Sequence, residues 1–217
     1  MDSIVSQLQS DALDTRQDTG MLLRKAYLVS KKLGLFGFER WVSSELNGYE
    51  ANDKLPVYRN IKGTMKFNNP YHGWCPVLFD RNDFEQSVTV VPLRDSIPKI
   101  LDLISRKGNA VIPISPEMMA LITTDPIQAI FEHAIILDNS SLVNIVELVR
   151  TKILEWAIVL EMKGIVGDGL SFSKDEIKSA EDPKIVHYTN NFYSSVSETQ
   201  IQQGSDSSKQ TLGGNDK

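Results

Sequence analysis

The sequence contains a single cysteine, Cys75, and three histidines, His72, His133 and His187, among 217 residues. A lone cysteine closes no internal disulfide, which suits a reducing compartment. Metal ligation needs several His, Cys or carboxylate groups at short spacing, and here only His72 lies near Cys75. No metal and no cofactor is therefore expected. Also missing are a phosphate-cradling glycine loop of the Walker type, a dinucleotide glycine fingerprint, a serine elbow and a Cys-His nucleophile signature. Long apolar runs are absent as well. The longest candidate, Ile127 to Leu137, is broken by Gln128, Glu132 and His133, well short of the roughly 18 residues a bilayer span requires. Met1 to Asp18 is polar and acidic, with none of the apolar character of a secretory leader. The expectation is a cytoplasmic chain with no membrane partner.

What is present is ordinary globular composition, 41% hydrophobic and 24% charged, enough for one core. The formal net charge of -5 counts against nucleic acid as the main partner, because phosphate binding draws on clustered Lys and Arg. It leaves a small-molecule ligand open.

Periodicity predicts an α+β fold. Ser3 to Leu13 reads as a short helix through Ile4, Val5 and Leu8. Thr19 or Asp18 can cap a second helix, with Leu22, Leu23, Ala26, Tyr27 and Leu33 on its apolar face and Gly34 at its end. A third helix from about Gly37 presents Phe38, Trp41, Val42 and Leu46, and Gly48 stops it. These two make an N-terminal helical hairpin. After Pro56 the period changes to two: Val57, Arg59, Ile61, Met65 and Phe67 share one strand face, and Tyr58, Asn60, Lys62, Thr64 and Lys66 the other. A turn at Asn68-Asn69-Pro70 returns the chain along His72 to Phe79.

A helix is expected over Ser96 to Arg106, a strand over Ala110 to Ile114, a helix from Ser115-Pro116-Glu117 through Ile122, and a strand over Ile127 to Leu137. Then Asn139 or Ser140 caps the longest helix, whose stripe is Leu142, Ile145, Val146, Val149, Ile153, Trp156, Ala157 and Leu160. This C-terminal helix is expected to cover a mixed or antiparallel sheet. Ser173 to Ala180 reads as one more short helix. Residues 1–182 are assigned to a globular domain and 183–217 to a polar, flexible tail. Val196 and Ile201 could anchor a short hairpin there, before a disordered end from Gly204.

The densest segment runs from Trp41 to Arg59. Most of it is helix stop and strand lead-in. Two residues resist that account. Glu45 follows Trp41 by one turn at the edge of the apolar face, and Arg59 shares a strand face with Ile61 and Met65, where an unpaired charge is strongly unfavourable. Glu45 is a carboxylate close enough in sequence to pair with Arg59. The pair would either lock the hairpin onto the sheet or line a polar pocket with Tyr49 and Tyr58; a late strand start near Arg59 would remove the puzzle. The candidate cluster is Glu45, Asn47, Tyr49, Tyr58 and Arg59. Elsewhere, His133 reads as a core histidine bonded to backbone more readily than as a general base, Cys75 as a small buried apolar group, and Met118 and Met119 as helix packing.

The pattern Trp41, Glu45-Leu46-Asn47-Gly48-Tyr49, Leu55-Pro56 and Tyr58-Arg59 resembles the AbiTii domain of bacterial abortive-infection (anti-phage) proteins. A second stretch resembles it too: Val149-Arg150, Trp156-Ala157, Leu160-Glu161, Gly164-Ile165, Gly167 and Phe172. The resemblance brackets Leu22 to Ala180 and implies a cytoplasmic bacterial protein of phage defence. It brings no catalytic residues with it. The residues and the resemblance together favour a non-enzymatic component that binds a protein partner or self-associates. The alternative is an enzymatic effector, a hydrolase or nuclease, with a pocket around Glu45, Tyr58 and Arg59.

Overall fold

The structure, a computed structural model, describes residues 3–106, 108–122, 130–183 and 185. Helix α1 (Ile4–Leu13) starts at Ser3, whose hydroxyl accepts the Ser6 N–H. Helix α2 (Thr19–Leu33) is capped by Asp18, which accepts the Met21 N–H, and ends at Gly34 in the left-handed region (φ 70°), a conformation that costs glycine nothing. Helix α3 (Phe36–Asn47) folds back on α2, giving the expected hairpin.

The strand expected after Pro56 is divided. Val57–Arg59 forms one turn of 3-10 helix, followed by strands β1 (Asn60–Lys62) and β2 (Thr64–Asn69). The predicted alternation holds from Asn60 to Met65, with Ile61 and Met65 buried and Asn60, Lys62 and Thr64 exposed, and fades at Lys66 and Phe67, which are both half-buried. It fails at Val57, which is 59% exposed, because a 3-10 turn does not alternate. Strand β2 turns into β3 (Gly73–Pro76), shorter than expected.

Between Phe79 and Ser96, where no element is expected from the sequence, helix α4 (Asn82–Thr89) and strand β4 (Val90–Pro92) form. Strand β4 is too short to show a period. Next come helix α5 (Ile97–Ser105), strand β5 (Ala110–Pro113), helix α6 (Pro116–Ile122) and strand β6 (His133–Leu137). Of the strand expected from Ile127, residues 127–129 lie outside the described residues, and 130–132 are not strand. The long helix α7 (Asn139–Met162) starts after Asp138, not after Asn139 or Ser140. Asp138 makes no capping bond with its side chain; its carboxylate accepts the Asn109 side-chain amide at 3.1 Å. Helix α8 (Lys174–Ala180) opens with a reciprocal capping box between Ser173 and Glu176. Apart from 183 and 185, the tail assigned to 183–217, with its Val196 and Ile201 hairpin, lies outside the described residues.

All pairings among the described strands are antiparallel. One sheet is β1-β4 and the other has the order β3-β2-β6-β5. Gly63 sits between them, and a Cβ there would fall 2.3 Å from Ile135 Cγ2, 2.9 Å from Leu137 Cδ2 and 3.1 Å from the Ile136 carbonyl. Its missing side chain is what lets β6 lie against the β1–β2 junction.

The predicted stripe of α7 is buried throughout, and its closest packed neighbours are α1, then α5 and α2. The sheet residues Met65, Ile135 and Leu137 belong to the same core. At its centre the rings of Phe38 and Trp156 stack with centroids 3.8 Å apart, and Trp41 lies 5.1 Å from Phe38. Each such fully buried side chain contributes about 1.5–3 kcal/mol. Arg150 extends from α7 to the α1–α2 connection, where its guanidinium donates to the carbonyls of Asp11 (2.8 Å) and Gln17 (2.9 Å) and to the Thr19 hydroxyl (3.0 Å).

Gly63→Ala is expected to destabilise the protein by about 1–3 kcal/mol, the usual cost of overpacking. Denaturant unfolding measures it; an unchanged midpoint would show that β6 is free to yield at this point.

Candidate functional site

Trp41 and Glu45 lie one turn apart on α3 and so share a face. Gly48 (φ 95°) ends that helix, and a Cβ there would come 3.1 Å from the Arg94 carbonyl. The same carbonyl accepts the Tyr49 N–H at 2.9 Å. Pro56 leads into the 3-10 turn that carries Tyr58 and Arg59, and the Arg59 carbonyl accepts the Leu93 N–H at 2.8 Å. Two backbone connections to residues 93–94 thus fix both tyrosines and the arginine relative to α3.

Within this frame the side chains converge. The Tyr49 and Tyr58 hydroxyls each donate to Glu45 Oε1 at 2.6 Å. Arg59 Nη2 donates to Glu45 Oε2, and Nη1 to the Asp95 carbonyl at 2.7 Å. The Trp41 indole N–H donates to the Tyr58 hydroxyl at 2.9 Å. The guanidinium also lies over the Tyr49 ring, 5.3 Å from its centroid, and Lys152 of α7 lies 5.6 Å from the Tyr58 ring. Glu45 and Arg59 are both 0% exposed. The ion pair suggested by the sequence is therefore formed and closed off from solvent.

Of the five candidates, the structure brings together Glu45, Tyr49, Tyr58 and Arg59. Asn47 is apart from them: it is exposed, and its amide donates to the Ser43 carbonyl at 2.9 Å, one turn back along α3. Arg59 is in the 3-10 turn before the strand, so the late strand start is real, yet the residue is still buried. His133 is buried, and its Nδ1 lies 2.8 Å from the Phe131 carbonyl, the backbone-bonded core histidine expected. Cys75 is half-buried, more open than expected, since it lies on β3 at the margin of the sheet. Met118 packs partly against the core.

Burial, and next the Glu45 carboxylate, push the Tyr49 hydroxyl far above its ordinary pKa of 10.0. The same two causes raise Tyr58. For Arg59, burial acts to lower the pKa, but Glu45 and the two tyrosines outweigh it and the net direction is up. Lys152 is lowered by burial, partly offset by Glu155 and Glu45. The carboxylate accepts on both oxygens, so the arrangement neutralises itself internally. Two open surface grooves lie elsewhere, one between α5 and β5 and one beside Thr15, Thr19 and α7, and the four clustered residues line neither.

Two contributors lie outside the candidates drawn from the sequence. Lys152 is readable there, since it falls between Val149 and Trp156 on the buried stripe of α7. Asp95 supplies only a backbone carbonyl, which leaves no mark in side-chain identity. Among the described residues, no group of three or more His, Cys, Asp or Glu converges as a metal site, and no helix is long and apolar enough to cross a membrane.

Removing one partner of a buried pair strands the other charge, at a cost of about 3–5 kcal/mol. Arg59→Met alone is expected to lose stability on that scale, and Glu45→Gln/Arg59→Met to recover much of it, as read by urea unfolding. Additive losses would contradict coupling. The tyrosines also set an alkaline limit. Their folded pKa is raised, so their contribution is complete below pH 10.0 and falls as pH rises beyond it, where only the unfolded chain ionises. Tyr49→Phe/Tyr58→Phe should flatten the decline in melting temperature above that pH.

No curated protein and no solved structure matches the chain. The family model for AbiTii matches residues 3–185 of the 217, a span that contains every element described above. That membership implies a role in abortive infection, the defence of bacteria against phage. The chain belongs to the AbiTii family.

Proposed function

We propose that this protein serves phage defence by binding or assembly in the cytoplasm, and that Glu45, Tyr49, Tyr58 and Arg59 form an internal lock that maintains the binding-competent shape. The observation that supports this most directly is the closure of the cluster. Glu45 and Arg59 are 0% exposed, and both carboxylate oxygens accept hydrogen bonds from within the cluster. A hydrolase needs a base or nucleophile that touches substrate, and a carboxylate occupied on both sides and shut away from solvent is poorly placed for that. A buried ion pair joining separate elements is a familiar architectural device.

Tyr58→Phe distinguishes the two readings, since it keeps the ring and removes only the hydroxyl. The lock predicts that protection of cells against phage falls only as far as the folded fraction falls, with thermal melting lowered and protection restored at lower growth temperature. A variant that melts like wild type and gives no protection would reverse this conclusion in favour of a catalytic pocket.

A further inference from the structure

Among the described strands, β5 is an edge of the four-stranded sheet. Its register with β6 pairs Ala110 with Leu137 and Ile112 with Ile135, and Ile114 N–H donates to the His133 carbonyl. In an antiparallel ladder the bonded residues alternate, so Ala110, Ile112 and Ile114 face β6. Val111 therefore turns its N–H and carbonyl outward, and Pro113 its carbonyl. Val111 is 49% exposed.

Helix α5 borders the same surface. Lys99 and Arg106 line one groove with Ala110 and Val111, over an apolar floor that includes Leu103 and Leu137. Along the outer side of α5 and its two ends the charges alternate: Asp95, Lys99, Asp102, Arg106. They stand at helical spacing, as the pairs Lys99–Asp95 and Arg106–Asp102, each at 2.5 Å, confirm. The cations are 63% and 67% exposed. Read in the opposite direction, this stripe is its own complement. Against a second α5 running antiparallel, Asp95 meets Arg106 of the second copy, and Lys99 meets Asp102.

We propose that the partner of this surface is a second copy of the chain, docked by a two-fold axis through Val111. The two β5 edges then pair antiparallel, joining the two four-stranded sheets. Val111 exchanges N–H and carbonyl with Val111 of the second copy, and Asn109 N–H reaches the Pro113 carbonyl. Pro113 offers no donor, so it blunts open-ended strand addition and leaves the helix stripes to set orientation and register. The apolar exposure at Val111 and the self-complementary charge answer one symmetry operation, which an unrelated partner would not require. This rests on the binding-or-assembly reading and names the partner.

Two charge reversals test it. Lys99→Glu places like charges opposite one another in a pair of identical copies, and so does Asp102→Lys. In a mixture of the two variants every one of those contacts becomes attractive. Each variant first has its folding checked by circular dichroism, and mass is then measured by sedimentation at high micromolar concentration. Wild type is expected at twice the 24.3 kDa chain mass, each variant alone at the monomer mass, and the mixture back at the dimer. A monomeric wild type overturns the self-pairing, as does a dimer that neither variant weakens or a mixture that stays monomeric. The binding reading itself stands or falls separately, on Tyr58→Phe. A folded, dimeric protein whose Tyr58→Phe form is intact and inactive would sink that reading and leave the dimer standing.

Discussion

The contact between Glu45 and Arg59 is the constraint on which the rest of this fold depends. Each charge taken alone into the interior would cost several kcal/mol, and both are fully buried. The cost is offset only because the surrounding groups are placed to receive them: two tyrosine hydroxyls on the carboxylate, and the Asp95 carbonyl and the face of Tyr49 on the guanidinium. Such a cluster tolerates little displacement. An apolar contact of similar area would allow α3 to slide by a fraction of a turn, whereas these bonds specify where α3, the 3-10 turn and the start of α5 meet. The pair thus acts on geometry more than on total stability.

Helix α7 supplies the complementary constraint from the other side. Its apolar stripe faces a core built around Phe38 and Trp156, and its two buried cations act in different directions. Arg150 gathers carbonyls from the α1–α2 connection, satisfying acceptors that the end of α1 leaves open. Lys152 lies over the Tyr58 ring and so joins the Glu45 cluster to α7. Beyond the helix end, Glu176 accepts the Val166, Gly167 and Ser173 N–H groups. Those bonds outweigh the effect of burial and hold its pKa at about 2, fixing the turn from which α8 returns to pack against α2.

Much of this was legible in the sequence because the physics is local. Asp18 and Gly34 bound α2 through capping and a left-handed residue, and the stripe from Leu142 to Leu160 gives α7 by periodicity. The conflict between a charge and an apolar neighbourhood identified Arg59 and its partner before any contact was known. What escaped was decided by tertiary contacts. Strands β1 and β2 divide at Gly63, where the chain passes from pairing with β4 to pairing with β6, whose residues are about seventy positions away. Strand β4 is strand because it pairs with β1, and three residues carry no period of their own. Asn47 shares a sequence motif with Glu45, but two residues along a helix are a rotation of about 200°, enough to move it from the cluster to the surface.

Asp95 links the interior of the protein to its surface. Its carbonyl accepts Arg59, while its carboxylate receives Lys99 and begins the alternating stripe of α5. The backbone just before it is tied as well, at Arg94 by Tyr49 N–H and at Leu93 by its own bond to the Arg59 carbonyl. The start of α5 is therefore held by the same turn that carries the buried pair. Loosening the pair would loosen α5 at its first turn, and with it the spacing between the charged stripe and the β5 edge. A fully buried ion pair can in this way govern a surface it never reaches, by fixing the position of the helix that forms it.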